Sequence, residues 1–207
     1  MKKILTLILL ITSLTSAVAL MIKNMAPKIV DPVAQLYVGD TIAGGIVFWI
    51  APLSRVGDNK PHGLVCSPIV QSGGIAWCRD NCERLPGLTT DVGMADDGSI
   101  KTGGSSNTNS IVARYGDTTY AANICKTLDL NGHTDWFLPS RDELDLMYQN
   151  LKRFGIGNFA NGYYWSSSQY NAATTDTNLV WAQFFGNGRQ YKLTKNYAGY
   201  VRAVRAF

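Results

Sequence analysis

The segment "PSRDELDLMYQNL", residues 139–151, fixes the start of a helix to one residue. Ser140 and Glu143 have the Ser-x-x-Glu spacing of a capping box, in which each side chain accepts a hydrogen bond from the other residue's backbone amide. The apolar residues then recur at helical spacing: Leu144, Met147, Tyr148 and Leu151. This pattern predicts a helix that begins after Ser140 and turns one apolar face toward the core.

The charged residues of this region are explained by the helix start without catalysis. Asp142 and Glu143 complement the positive end of the helix. Asp145 falls on another face, where we expect it to be solvated. His133 lies in a turn, and the sequence offers it no nucleophile and no second metal ligand. With no Ser-His-Asp set, metal cluster or phosphate-binding glycine loop in view, we expect no enzyme, no cofactor and no metal site.

Residues 1–19 have the pattern of a secretory signal peptide. Lys2 and Lys3 form a basic start, an apolar run follows from Ile4 to Leu14, and Ala17-Val18-Ala19 supplies the small residues of a cleavage site. The apolar run is shorter than the roughly 20 residues of a membrane-spanning helix. We therefore expect export to the cell surface or the medium, with no membrane span after cleavage; an uncleaved anchor is the alternative.

The remaining chain suits a short lead and one domain. Residues 20–36 contain two prolines and are predicted to be extended, and residues 37–207 form the predicted domain. Loss of Lys2 and Lys3 lowers the formal net charge from +4 to +2. A mildly basic balance of this size singles out no partner class, and no nucleic-acid partner is expected.

Four cysteines suggest disulfides in an exported chain: Cys66, Cys78, Cys82 and Cys125. Three pairings are open. We favour Cys78–Cys82 together with Cys66–Cys125, because the first pair closes a small loop. Free buried thiols for one of the pairs are the alternative.

Short strands and a second helix are predicted from local patterns. Five segments read as strands: Ile46–Ile50, His62–Ser67, Leu179–Phe185, Arg189–Leu193 and Tyr200–Phe207. The "GNG" between the third and fourth predicts a hairpin. A helix is predicted over Thr119–Leu130. The sequence from Gln71 to Ser110, rich in Gly, Ser, Asn, Thr and Asp, predicts a long irregular segment.

The stretch from Arg189 to Phe207 is strongly one-sided in charge. It contains five basic residues and no acidic one: Arg189, Lys192, Lys195, Arg202 and Arg205. A local basic face is one interpretation, and ordinary solvated strand edges are the other. Arg202 and Arg205 should point to opposite faces of one strand, so at least one is expected inward and paired with a carboxylate.

Six segments in order resemble one family. They are "GGIVFWI", "HGLVCSP", "GIAWC", "TDWFLPSRDELDLMYQNL", "GYYWSSSQY" and "YVRAVRAF". Together they are similar to the C-terminal domain of the Legionella collagen-like adhesin, over about residues 37–207. The Gly-X-Y repeat of that adhesin is absent here, so trimerisation through a collagen stalk is not implied, although a homo-oligomer stays open.

A more distant resemblance concerns the fold. The sequence "AANICKTLDLNGHTDWFLPSRDELDLMY" is similar to a region of formylglycine-generating sulfatase-modifying factors. That resemblance implies an α+β, C-type-lectin-like domain with two main helices, short twisted antiparallel sheets and long loops. It also implies that the strand at "GGIVFWI" pairs with the one at "YVRAVRAF". No cysteine lies beyond Cys125, so the copper-dependent activity of those enzymes is not carried over.

The adhesin resemblance implies a non-catalytic module that binds sulfated glycosaminoglycans. Arg and Lys would pair with sulfates, and Tyr would stack on sugar rings. The candidate ligand-binding residues are Arg189, Tyr191, Lys192, Lys195 and Tyr197, with Lys152 and Arg153 widening the patch. The alternative is a structural or protein-binding envelope domain, in which Tyr163, Tyr164 and Trp165 contact a host or cell-surface protein.

Overall fold

The computed structural model describes residues 36–52, 60–78, 82, 85, 88, 92–94, 100–170 and 178–207. The predicted signal peptide lies outside these residues, as does the lead except for its last residue, Leu36. Within the described part, no helix is long and apolar enough to cross a membrane.

The described strands form three sheets. In chain order they are β1 (Thr41–Ile42), β2 (Gly45–Ile50), β3 (Gly63–Cys66), β4 (Ser72–Ile75), β5 (Val92–Met94), β6 (Ile100–Thr102), β7 (Tyr163–Gln169), β8 (Leu179–Phe184), β9 (Gln190–Thr194), β10 (Gly199–Val201) and β11 (Val204–Ala206). One sheet has the order β1-β2-β3-β11, a second has β4-β10-β7-β8-β9, and β5 pairs with β6. Every pairing is antiparallel except that of β10 with β7.

The described helices are α1 (Gly103–Tyr115), α2 (Ala121–Lys126) and α3 (Arg141–Asn150), followed by a 3₁₀ turn at Lys152–Phe154. Helices and mixed sheets without a closed barrel make this an α+β fold, which confirms the predicted class. The likeness to C-type-lectin-like domains stays a prediction. Helices α2 and α3 occupy the two predicted helical segments, and α1 is additional.

Helix α1 begins in the segment predicted to be irregular, residues 71–110, and continues beyond it to Tyr115. Its sequence begins with two glycines and is rich in serine and asparagine, residues of weak helix propensity. The helix packs closely on the start of α3: a Cβ on Gly104 would come within 2.6 Å of the Leu138 carbonyl oxygen. The Leu138 amide also donates to Thr108 Oγ1 at 3.0 Å. Packing rather than local propensity therefore supports α1.

Helix α3 begins as predicted. The Glu143 amide donates to Ser140 Oγ at 3.2 Å, and the Ser140 amide donates to Glu143 Oε2 at 2.7 Å. Leu144, Met147 and Leu151 are buried, and Tyr148 packs against the same cluster. The capping box and the apolar face are therefore confirmed.

Asp145 differs from the prediction that it is solvated. Its Oδ1 accepts a hydrogen bond of 2.6 Å from Nε2 of Gln183, a fully buried residue of β8. The Gln183 amide also donates to the Gly188 carbonyl at 2.9 Å. The Asp145 carboxylate thus joins α3 to the hairpin formed by β8 and β9.

The C-terminal segment is not one strand. β10 lies between β4 and β7 in the five-stranded sheet, whereas β11 pairs with β3 in the other sheet. The predicted pairing of the first strand with the last is wrong, because β3 lies between β2 and β11. The chain changes sheets at Arg202-Ala203, where the Ala203 amide donates to Gln71 Oε1 at 2.6 Å.

The cysteine prediction is half right. Cys78 and Cys82 form a disulfide, whereas Cys66 and Cys125 are free and buried. The favoured Cys66–Cys125 bond is wrong, because the two residues belong to different hydrophobic clusters. Burial raises the pKa of the Cys66 thiol to about 11, and it also raises the pKa of Cys125.

Replacing both Cys78 and Cys82 with serine is expected to lower the free energy of unfolding by about 2 kcal/mol, the chain-entropy value for so short a loop. Urea denaturation under non-reducing conditions measures this loss. The control is the native protein treated with reductant, which should lose the same amount since Cys66 and Cys125 are already reduced. An unchanged unfolding midpoint in both samples would contradict the expectation.

Candidate ligand-binding surface

Five of the predicted ligand residues lie in the β8–β9 hairpin or directly after it, but they do not share one surface. Lys192 lies opposite Trp181, and Tyr191 lies opposite Ala182. Because side chains alternate along a strand, Tyr191 and Lys192 face opposite sides of the sheet. The predicted patch therefore divides into a basic side and an aromatic side.

The basic side combines cations with aromatic rings. The Lys192 ammonium lies 3.8 Å from the centre of the Tyr170 ring and 5.7 Å from that of Trp181. The Arg141 guanidinium carbon lies 5.3 Å from the Trp181 ring centre. We call these four residues, Arg141, Tyr170, Trp181 and Lys192, the cation–aromatic face. Rings in these positions attract cations and hold them in place.

Arg141 reaches this face because it is the first residue of α3. Its amide donates to Ser168 Oγ at 3.0 Å, and its carbonyl accepts from Gln190 Nε2 at 3.1 Å. Its side chain forms an ion pair of 2.9 Å with Asp142. The helix start is thus tied to both β7 and β9, and Asp142 partly offsets the charge of Arg141.

The two exposed hairpin cations differ from Arg141. Among the described residues, neither the Lys192 ammonium nor the Arg189 guanidinium has a carboxylate within ion-pair distance. Arg189 is exposed at the end of the hairpin turn, where its amide donates to Asn187 Oδ1 at 3.0 Å. These two charges are available to an anionic ligand.

The other side of the hairpin carries a row of tyrosines. The ring centre of Tyr163 lies 5.4 Å from that of Tyr191 and 5.6 Å from that of Tyr197, with both neighbours nearly perpendicular to it. Phe184 packs behind Tyr163 at 4.8 Å. We call Tyr191, Tyr163 and Tyr197 the tyrosine row. Tyr191 and Tyr197 are therefore together, but apart from Lys192.

Lys195 is not a ligand residue. Its side chain is only 2% exposed, its Nζ donates to the Cys82 carbonyl at 2.9 Å, and it lies 5.3 Å from the Trp77 ring centre. Burial lowers the pKa of Lys195 to about 8. The prediction that it binds a surface ligand is wrong, since the side chain points into the domain.

Lys152 and Arg153 do not widen the patch in the predicted way. The half-buried Lys152 donates from Nζ to the Phe159 carbonyl at 2.6 Å. Arg153 is exposed and donates to Gln149 Oε1 at 2.8 Å. Both lie in the 3₁₀ turn after α3, whereas the cation–aromatic face lies at the start of that helix, so they are at opposite ends of it.

The two remaining arginines are structural, as expected for at least one of them. Arg205 pairs with Asp135 through two bonds of 2.6 and 2.9 Å. The Arg205 hydrogen bond holds the pKa of Asp135 below its usual value. Arg202 is buried and donates to backbone carbonyls of Ser67, Pro68 and Gly157. Neither is counted as a ligand contact.

The aromatic triplet proposed for protein contact is mostly core. Tyr164 and Trp165 are buried, and Trp165 Nε1 donates to the Ile75 carbonyl at 2.8 Å. Only Tyr163 of the three is half-buried. The expected exposed cluster is instead formed by Tyr163 with Tyr191 and Tyr197.

Sequence reasoning missed Arg141, Tyr170 and Trp181. Counting outward from the "GNG" turn would place Ala182 opposite Lys192, one residue away from the observed partner Trp181, so the local pattern does not identify Trp181. Arg141 and Tyr170 come from other segments and are brought in by the tertiary fold. In the described part of the chain, no three His, Cys, Asp or Glu side chains converge in a way that could hold a metal ion.

A family model described as the Lcl C-terminal domain matches residues 71–205, well over half of the chain. A search of curated proteins found no match. The matched range includes both faces of the hairpin, α3 and the disulfide, and it leaves out β1 to β3. The chain therefore belongs to the Lcl C-terminal domain family, a family of adhesin-associated surface domains.

Proposed function

We propose that this domain is an exported, non-catalytic binding module that recognises a sulfated polysaccharide through the cation–aromatic face. The observation that carries the proposal is the Lys192 ammonium, which is exposed, lies 3.8 Å from the Tyr170 ring centre and has no carboxylate partner among the described residues. The adhesin association of the family supports the same conclusion.

Preorganised charge is the physical basis of this function. An exposed lysine is normally mobile, and ordering it on binding costs conformational entropy. Here the rings of Tyr170 and Trp181 already hold the Lys192 ammonium. Arg141 adds a planar guanidinium that is suited to bidentate contacts with sulfate oxygens.

Trp181 gives the face an apolar element close to both of its cations. The ring is half-buried, and its centre lies 5.3 Å from the Arg141 guanidinium carbon and 5.7 Å from the Lys192 ammonium. A sulfated sugar could then place a sulfate beside each cation while its ring covers the exposed part of the indole. Charge spacing and an apolar contact together would distinguish a sulfated polysaccharide from a simple anion.

Charge reversal tests the face. Lys192→Glu is expected to weaken binding of heparin about tenfold, equivalent to about 1.4 kcal/mol, and to reduce the salt dependence. The matched control is Lys126→Glu, which makes the same change in net charge at an exposed residue of α2. Titration calorimetry at several salt concentrations measures both variants.

The control decides the interpretation. If Lys126→Glu weakens binding as much as Lys192→Glu, net charge alone drives association. If neither variant changes the affinity, or the folded native protein does not bind heparin, the cation–aromatic face is not a polyanion site.

A protein partner is the second candidate function. Phe154 is 71% exposed in the 3₁₀ turn after α3, an unusual position for a large apolar side chain. Retention of a cell-surface protein by the native domain, and its loss with Phe154→Ser, would favour this alternative.

A further inference from the structure

The tyrosine row lies on the side of the hairpin that the proposed polyanion site does not use. It crosses the five-stranded sheet at one end, from Tyr191 in β9 to Tyr163 in β7 and Tyr197 just before β10. The ring centres are 5.4 and 5.6 Å apart, so the outer two lie at most about 11 Å from each other, a little over two strand spacings. A row of this kind offers several adjacent contacts to an extended ligand.

The row is accessible to solvent. Tyr197 is 41% exposed, and Tyr163 and Tyr191 are half-buried. Their three hydroxyl groups make no hydrogen bond to the described residues, and none of them is a buried unsatisfied atom. The row thus combines apolar ring surface with hydroxyl groups that can donate and accept hydrogen bonds.

The rings are held in place from below. Tyr163 packs on Phe184, and Tyr197 meets the buried Trp165 ring at 6.1 Å in an edge arrangement. The Tyr197 amide donates to the Thr194 carbonyl at 3.0 Å, which fixes the turn between β9 and β10. Binding would therefore cost little conformational entropy in these three side chains.

The ring contacts of the row are all aromatic. Among the described residues, every ring contact of the three tyrosines is with another aromatic side chain, and the cation–ring pairs of the hairpin lie on its other side. A ligand with flat C–H surfaces and many hydroxyl groups matches the row in both polarity and shape.

We propose that the tyrosine row is a second binding site, which takes a run of neutral sugar rings by stacking them on Tyr191, Tyr163 and Tyr197. The inference rests on the proposed function only in that the ligand is a glycan. The hairpin would then bind sulfated sugars on one side and neutral sugars on the other.

Titration calorimetry with the neutral oligosaccharides cellohexaose, chitohexaose and mannohexaose tests the site. At least one is expected to bind the native protein with an affinity that salt does not change. Tyr197→Ala should weaken this binding about tenfold, since it removes the most exposed ring. Tyr197→Phe keeps the ring, so it should weaken oligosaccharide binding less than Tyr197→Ala does.

Two controls separate this site from the polyanion site. Lys192→Glu should leave neutral-sugar binding unchanged, and Tyr197→Ala should leave heparin binding unchanged. Thermal melting confirms that each variant is folded, and should Tyr197→Ala fail to fold, Tyr191→Ala takes its place.

Three results would overturn the proposal. The first is that the folded native protein binds none of the three oligosaccharides. The second is that the alanine variant binds as tightly as the native protein. The third is that a proline-rich peptide binds the row in place of the sugars, which would identify it as a peptide groove. If the only change is that Lys192→Glu loses heparin binding, the result bears on the cation–aromatic face and not on the tyrosine row.

Discussion

Replacing Arg202 with methionine is expected to lower the free energy of unfolding by about 3 kcal/mol, because the buried carbonyl of Ser67 and two part-buried carbonyls lose their donor. The arginine is 1% exposed, and it donates to Ser67 at 2.6 Å, to Pro68 at 3.0 Å and to Gly157. Methionine relieves the cost of burying a charge, but it leaves the buried Ser67 oxygen without this donor. Urea denaturation followed by tryptophan fluorescence measures the loss.

The same replacement at an exposed arginine is the matched control. Arg153→Met removes the same charge at the surface and is expected to change stability by less than about 0.5 kcal/mol. Arg202→Lys keeps the buried charge but loses the planar guanidinium with its several donors. Its free energy of unfolding should lie between those of the native protein and Arg202→Met. A loss below about 1 kcal/mol for Arg202→Met would show that the carbonyls find other donors.

The stability of the domain is expected to fall as pH rises from 4.5 to about 8, with a slope of up to about 1.4 kcal/mol per pH unit. Burial raises the pKa of Glu143 from 4.5 to about 8, even though the amides of Ser140 and Gly104 donate to its carboxylate and lower it. In this window the folded state holds a proton that the unfolded state has lost. The stabilising contribution is therefore full below pH 4.5 and lost as pH rises through 8.

Above pH 8 the direction reverses. Burial lowers the pKa of Lys195 from 10.5 to about 8, so between these values the folded state has lost a proton that the unfolded state keeps. Stability then rises with pH up to about 9, above which the buried Cys66 and Cys125 thiols, whose pKa values are raised from 9.0, act in the opposite direction. The two groups together predict a minimum of stability near pH 8.

Isosteric variants separate the two limbs of this profile. Glu143→Gln should flatten the part between pH 4.5 and 8 and leave the upper part unchanged. Lys195→Met should flatten the part above pH 8 and leave the part between pH 4.5 and 8 unchanged. Denaturation midpoints across the pH range, at constant ionic strength, provide the measurement. A profile that keeps both limbs in Glu143→Gln would mean that another group carries the lower one.

Local signals in the sequence were sufficient where a structure depends on neighbouring residues. The capping box of Ser140 and Glu143 and the hairpin around "GNG" involve partners only a few residues apart, so spacing alone predicts them. Helix α1 has no such signal. It forms because Gly104 allows close contact with the start of α3, a partner about forty positions away in the sequence.

The candidate site shows the same division. Lys192 and Arg189 are exposed as expected for polar residues of a hairpin. Lys195 follows the same local pattern, yet it is buried because its partners are the Cys82 carbonyl and the Trp77 ring, both more than one hundred residues earlier. Arg141 joins Trp181 through tertiary contacts that no local pattern contains.

Residues 199–206 have a further consequence for how the chain reaches its fold. β10 lies between β4 and β7 in one sheet and β11 is an edge strand of the other, so each sheet lacks a strand until these eight residues have been synthesised. Pairings over such long sequence separations are slow to form. In a chain that crosses a membrane before it folds, this arrangement would delay folding, because the earlier segments cannot complete either sheet on their own. The same arrangement makes partly made chains vulnerable to aggregation, since both sheets expose unpaired edges until residues 199–206 have been made.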